Sequence, residues 1–264
     1  MNQNPVCDIH DLSVTYAGAT SPALQNVSLS IAVNRRLAII GESGSGKSTL
    51  ARTLAHLLPP GAQSSGDVVW HLATGTPVPL AGRDIGYVFQ DPGASLNPVL
   101  TIGEQVAEGA VRHLGLSWKQ GLAHARDLLN EVQLPHPSSL LDAYPHQMSG
   151  GQRQRVAIAA AIAARPKILI ADEATSALDT ITQAAIARLL DRLVQQNGMT
   201  LLFITHDIAL ASSLADDIAV LKSGRLVETG RAASMLSTPQ HAYTKSLLAA
   251  HIDITTPPLI ESMC

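Results

Sequence analysis

The chain has 264 residues, with 18 Lys and Arg against 21 Asp and Glu, a formal net charge of −3. That near-neutral balance excludes the basic footprint of a general nucleic-acid binder, and two Phe, two Trp and four Tyr leave little for base stacking. An apolar share of 46% and a charged share of 15% indicate a folded chain with a sizeable core rather than a disordered one.

Near the N-terminus, Leu12–Tyr16 and Val27–Val33 alternate apolar with polar residues and predict half-exposed antiparallel strands. Arg36–Ile40 predicts a buried strand, followed at once by Gly41-Glu-Ser-Gly-Ser-Gly46-Lys47-Ser48 and a helix over Lys47–Leu58. This GxxxxGK[ST] pattern between a strand and a helix predicts a phosphate-binding loop. Its glycines let successive N–H groups turn toward an anion, and the helix N-terminus adds partial positive charge. Gly41, Ser43, Gly44, Gly46, Lys47, Ser48 and Thr49 are the candidate nucleotide-binding residues. Lys47 is expected to reach the β- and γ-phosphates, and the Ser48 hydroxyl a Mg²⁺ ion.

The stretch from Pro59 to Gly86 is rich in Gly and Pro and leaves short strands and loops equally open. From Pro92 to Ala164 the pattern turns helical, with helices expected over Ile102–Leu114, Lys119–Val132 and Gln152–Ala164, the last closed off by Pro166. Ile168–Ala171 predicts a second buried strand that delivers Asp172 and Glu173 at its carboxyl end, where ligands collect in open α/β sheets. Asp172 is a candidate for the Mg²⁺ site and Glu173 for the general base that activates water. A helix over Leu178–Gln196, a strand over Leu201–Thr205 and a hairpin over Asp217–Val227, turning at Ser223-Gly224, follow. Together these predict an α/β core with a parallel sheet and an inserted helical part, acting as a Mg²⁺-dependent nucleoside triphosphatase.

Cys7 and Cys264 form no disulfide framework or metal pattern, and no two of the ten histidines lie three to five residues apart. The N-terminus shows no signal-peptide pattern, and the longest apolar run, Val156 to Ala164, is well short of the ~20 residues of a spanning helix. A cytosolic chain is expected, with the residues after Ile254 loosely held.

Met148-Ser149-Gly150-Gly151-Gln152 resembles the LSGGQ signature of ATP-binding cassette (ABC) proteins. Other motifs of that family appear in order: Gln90 resembles its glutamine loop, Ser176-Ala-Leu-Asp179 the segment after the catalytic glutamate, and His206 the switch histidine. Tyr16 stands where the family stacks an aromatic ring on adenine. The resemblance covers residues 8–250 as one cassette. It implies a P-loop NTPase core of about residues 8–91 and 166–230, an N-terminal antiparallel β subdomain, a helical subdomain of about 92–165 and a tail at 251–264.

It further implies that Glu173, His206 and Gln90 are catalytic, that Gln90 joins Ser48 and Asp172 at Mg²⁺, and that Ser149, Gly150, Gly151, Gln152 and Asp179 bind nucleotide. The second anion site at the signature implies a head-to-tail partner cassette, identical or related. Phe89-Gln90-Asp91-Pro92 with Ser95-Leu96-Asn97-Pro98, and His241-Ala-Tyr243-Thr244-Lys245-Ser-Leu247-Leu248, resemble the peptide/nickel import branch. That branch implies two membrane permeases, an extracytoplasmic binding protein, a peripheral place on the cytoplasmic face of the inner membrane, and a peptide or metal-chelate cargo. An exporter ATPase or a non-transport cassette ATPase is the alternative. Ala174 after Glu173, and Asn34-Arg35 before the first core strand, depart from the family pattern.

Overall fold

The computed structural model describes residues 5–72, 78–175 and 178–251. Ser176 and the predicted loose tail therefore lie outside the described residues. In chain order the elements are β1 (Pro5–Thr15), β2 (Leu24–Ala32), β3 (Arg36–Ile40), α1 (Lys47–Leu54) and β4 (Gln63–Trp70). Next come β5 (Ile85–Val88), α2 (Pro92–Ser95), α3 (Ile102–Leu114), α4 (Trp118–Glu131), α5 (Pro137–Leu140) and α6 (Gly150–Ile162). They are followed by β6 (Ile168–Asp172), α7 (Thr180–Asn197), β7 (Thr200–Ile204), α8 (Ile208–Leu214), β8 (Asp217–Lys222), β9 (Arg225–Arg231), α9 (Ala232–Ser237) and α10 (Ala242–His251). The chain divides into two compact units, one formed by the residues up to Pro79 and from Gly198 onward, the other by Leu80–Asn197.

The first unit contains two sheets. In the antiparallel one, β1 lies between β2 and β4. Ile9, Leu12 and Val14 of β1 and Val27, Leu29 and Ile31 of β2 supply its buried face. The register shifts between Ile9 and Leu12, where Asp11 takes a left-handed φ of 49°. That bulge breaks the period-two pattern, which is why the sequence predicts β1 only from Leu12 onward. In the second sheet β3 runs parallel to β7 on one side and β8 on the other, and β9 returns antiparallel to β8. Ser223 and Gly224 at that turn both have positive φ, 47° and 78°, the geometry that matches hairpin twist. β3 is apolar almost throughout, flanked by β7 on one side and β8 on the other.

In the second unit β5 and β6 pair in parallel, Ile85 opposite Ile168 through Val88 opposite Ala171. Its longer helices start where side chains satisfy their first N–H groups: capping boxes join Thr101 with Glu104 at α3 and Ser117 with Gln120 at α4. Gly121 lets α4 approach α3, since a Cβ there would come within 2.5 Å of Val111. No helix among the described residues is long and apolar enough to cross a membrane.

Candidate active site

In the first unit, the turn from β3 into α1 is built on glycine. Gly41, Gly44 and Gly46 have φ of 150°, 77° and 101°. A Cβ on Gly41 would come within 2.2 Å of the Leu221 carbonyl oxygen, and one on Gly46 within 2.6 Å of that of Ala23. The loop is therefore clasped by its surroundings as well as bent: Gly224 N–H also donates to the Ser45 carbonyl at 3.0 Å.

Lys47 folds over this loop. Its Nζ donates to the carbonyl oxygens of Gly41 at 2.9 Å and Glu42 at 2.8 Å, and the residue is 4% exposed. A buried ammonium at the N-terminal end of a helix makes the loop a receptor for anionic groups. Ser48 and Thr49 occupy the first turn of α1, and the Tyr16 hydroxyl lies 3.0 Å from Thr49 Oγ1. Ser43 lies in the loop itself. His206 is exposed just past β7, the strand beside β3, and Thr205 N–H reaches back to the Ile39 carbonyl at 3.3 Å. The unit thus brings Tyr16, the loop and His206 to neighbouring positions around the carboxyl ends of parallel strands.

The second unit assembles the carboxylates. Asp172 ends β6 and is 3% exposed; Tyr87 Oη donates to its Oδ2 at 2.8 Å. Glu173 has a left-handed φ of 47°, which turns the chain off the strand. Gln90, two residues beyond β5, donates from Nε2 to Glu173 Oε2 at 3.1 Å. Gln90, Asp172 and Glu173 therefore gather at the shared carboxyl end of β5 and β6.

Tyr87 escaped the sequence reading. Its signal is a phenol in a four-residue buried strand, Ile-Gly-Tyr-Val, where the hydroxyl needs a polar partner.

The signature residues cap a helix. Ser149 Oγ accepts from Gln152 N–H at 3.3 Å, while Gln152 Oε1 accepts from Ser149 N–H at 2.9 Å. Beside this end lies the start of α7: a Cβ on Gly151 would sit 3.1 Å from Thr182 Cγ2, and one on Gly150 3.9 Å from Leu178. Asp179 accepts from the Thr182 hydroxyl at 2.7 Å and from its N–H at 3.0 Å, bonds that hold its carboxyl below the usual range. Two helix N-termini thus stand side by side, with Ser149 and Asp179 at their tips. Among the described residues no three His, Cys, Asp or Glu form a metal cluster.

The family model described as ABC transporter matches residues 24–176, more than half of the chain. The chain belongs to the ABC transporter family.

Among its relatives, the peptidoglycan transport ATP-binding protein YejF of Agrobacterium fabrum is 42% identical over 277 residues, covering 98% of this chain and 51% of that protein. The glutathione import ATP-binding protein GsiA of Salmonella typhimurium is 39% identical over 265 residues, 95% of this chain and 42% of that one. This chain therefore spans about half the length of those relatives. A Brucella abortus protein provisionally named as a peptide import ATP-binding protein is 42% identical over 259 residues, 95% of this chain and 78% of that one.

Among solved structures, cbiO1 from Clostridium perfringens superposes with a TM-score of 0.75 at 27% identity, covering 98% of each chain. The dimeric ATP-binding cassette MJ0796, solved with ADP and Pi, gives 0.72 at 32% identity over 86% of this chain and 98% of the other. The expected ABC cassette fold and the family resemblance are both borne out.

Proposed function

We propose that the chain is the Mg²⁺-dependent ATPase subunit of a binding-protein-dependent ABC importer. The observation that carries this reading is the glycine loop after β3 with Lys47 seated on its carbonyls. Tyr16 stacks on the adenine and Thr49 supports the loop. Lys47 neutralises the outer phosphates, and the N–H groups of residues 43–48 surround them.

Ser48, Gln90 and Asp172 offer hydroxyl, amide and carboxylate oxygens, the hard donors that suit Mg²⁺, and Tyr87 fixes one Asp172 oxygen. When bound, the ion offsets phosphate charge. Glu173 accepts the proton of the attacking water, and His206 donates to the terminal phosphate.

The Ser149–Gln152 turn and Asp179 serve a partner cassette's nucleotide in a head-to-tail pair. ATP then favours closure because the closed pair holds it more tightly than the open one does. The dimeric state of MJ0796, a cassette 32% identical to this chain, supports such pairing.

Import, with a peptide-like cargo, is supported by the names of the relatives, which specify peptidoglycan, glutathione and peptide transport. The exposed apolar residues Phe89, Val99 and Leu100 around α2 suit a short helix of a membrane permease. In this reading the chain works on the cytoplasmic face of the inner membrane, beside two permeases and an extracytoplasmic binding protein. Copurification with tagged permeases, together with ATPase activity that requires Mg²⁺ and rises with loaded binding protein, tests the reading. Hydrolysis that is indifferent to permeases and binding protein would remove the importer assignment.

A further inference from the structure

The stretch from His241 to Leu248 has no part in the nucleotide chemistry above, yet it reaches the phosphate loop. Glu228 of β9 accepts N–H bonds from Gln240 at 2.8 Å and His241 at 3.1 Å, which seats the start of α10. Tyr243, one residue further into the helix, is 6% exposed and lies under Lys222, whose Nζ is 4.4 Å from the ring centroid. Its Oη accepts a hydrogen bond from Glu42 N–H at 3.2 Å.

That N–H belongs to the peptide whose other end is the Gly41 carbonyl, and this carbonyl accepts from Lys47 Nζ at 2.9 Å. A trans peptide is planar, so fixing its N–H fixes the opposite direction of its C=O. Gly41, at φ 150°, has no side chain to resist rotation, and the hydroxyl supplies the restraint.

We propose that Tyr243 is a positioning residue for the phosphate loop: its hydroxyl orients the Gly41–Glu42 peptide, whose carbonyl in turn holds the Lys47 ammonium. The proposal rests on the nucleotide-binding reading and extends it to the C-terminal helix. Burial pushes the Tyr243 hydroxyl above the ordinary tyrosine value, so it remains a neutral phenol at pH 7. Tyr243→Phe keeps the ring and its contact with Lys222 and removes the hydroxyl, whose backbone and side-chain partners are both on Glu42 of the loop.

The test is calorimetric titration of ATP without Mg²⁺, so that nothing is hydrolysed, on the full chain and up to millimolar nucleotide. Tyr243→Phe is expected to weaken ATP binding about five- to tenfold, the effect of losing one part-buried hydrogen bond that orients the loop. The same change in a Lys47→Met background is expected to alter affinity by less than about twofold, because the group it acts through is gone. Equal losses in both backgrounds, or an affinity of the single variant within about twofold of wild type, would overturn the proposal.

Glu228→Gln loosens the seat of α10 without touching Tyr243 and serves if the Phe variant does not fold. A loss of about two- to fivefold supports the coupling, and unchanged affinity rejects it. A wild type that binds no ATP at all would instead count against the nucleotide-binding reading itself.

Discussion

Gln90 and Glu173 are 83 positions apart in sequence, and the Gln90 amide nitrogen rests 3.1 Å from a Glu173 carboxylate oxygen. The bond ties together two strand ends, and it restrains a side chain whose own backbone is in the left-handed region. Such a conformation costs a residue other than glycine about 1 kcal/mol or more, so the surroundings must hold it there. A fixed carboxylate is what a general base requires.

Glu173→Gln keeps the size of the side chain and a carbonyl acceptor for Gln90. Turnover is expected to fall about 10²–10⁴-fold, with ATP affinity retained, because only the proton-accepting group is lost. Steady-state hydrolysis beside equilibrium ATP titration reads both quantities. Hydrolysis close to wild type would take Glu173 out of the role.

Tyr87→Phe removes the donor to Asp172 and leaves a buried carboxylate short of one bond. Loss of a hydrogen bond to a charged group should cost about 1–3 kcal/mol of stability. The Mg²⁺ concentration for half-maximal hydrolysis should also rise several-fold, since orienting groups outside the coordination shell typically matter about 10- to 100-fold or less. Thermal melts and a Mg²⁺ titration check this. If both match wild type, Tyr87 does not orient the carboxylate.

The parts legible in the sequence were those with local causes. β3, β6 and β7 are short, buried, largely apolar runs, and the Gly41–Ser48 loop is dictated by its own glycines. α3 begins and ends as predicted because Thr101 and Glu104 form a capping box and Gly115 takes the left-handed exit.

What escaped depends on distant partners or on unmarked conformations. β4, Gln-Ser-Ser-Gly-Asp-Val-Val-Trp, is mostly exposed and exists through its pairing with β1. α1 stops at Leu54 rather than Leu58 because His56 adopts a left-handed φ of 56°, a place where glycine would have announced the end. The pairs Gln90–Glu173 and Tyr87–Asp172 exist only once β5 lies beside β6.

Ser149 has two separable jobs, a structural one in the helix cap and the proposed one at a partner's nucleotide. Ser149→Asp preserves a capping acceptor and adds an anion at a helix N-terminus, so stability should change by less than about 1 kcal/mol. Its charge faces the proposed phosphate, so ATP-dependent pairing of a Glu173→Gln, Ser149→Asp double variant should be lost. Light scattering with saturating ATP checks it against Glu173→Gln alone. Pairing that survives the aspartate would place the partner nucleotide elsewhere.

Asp216 and Arg36 give the first unit a pH-dependent clamp. Arg36 donates to Asp216 from its backbone N–H at 2.9 Å, from Nε at 3.1 Å and from Nη2 at 2.9 Å. Burial raises the Asp216 pKa, but the Arg36 guanidinium and N–H outweigh it and hold the carboxyl below its ordinary value. A carboxylate depressed in the folded state adds stability above its unfolded pKa, about 3.9, and that stability is lost as pH falls through the folded value.

Asp216→Asn should therefore cost about 1–2 kcal/mol at pH 7, where the wild-type pair is charged, with both side chains roughly a quarter exposed. The gap between wild type and variant should stay constant down to about pH 5 and narrow below about pH 4. Urea midpoints at pH 7, 5, 4 and 3 measure it. A penalty as large at pH 3 as at pH 7 would mean that the carboxylate charge contributes nothing and that shape alone makes the contact.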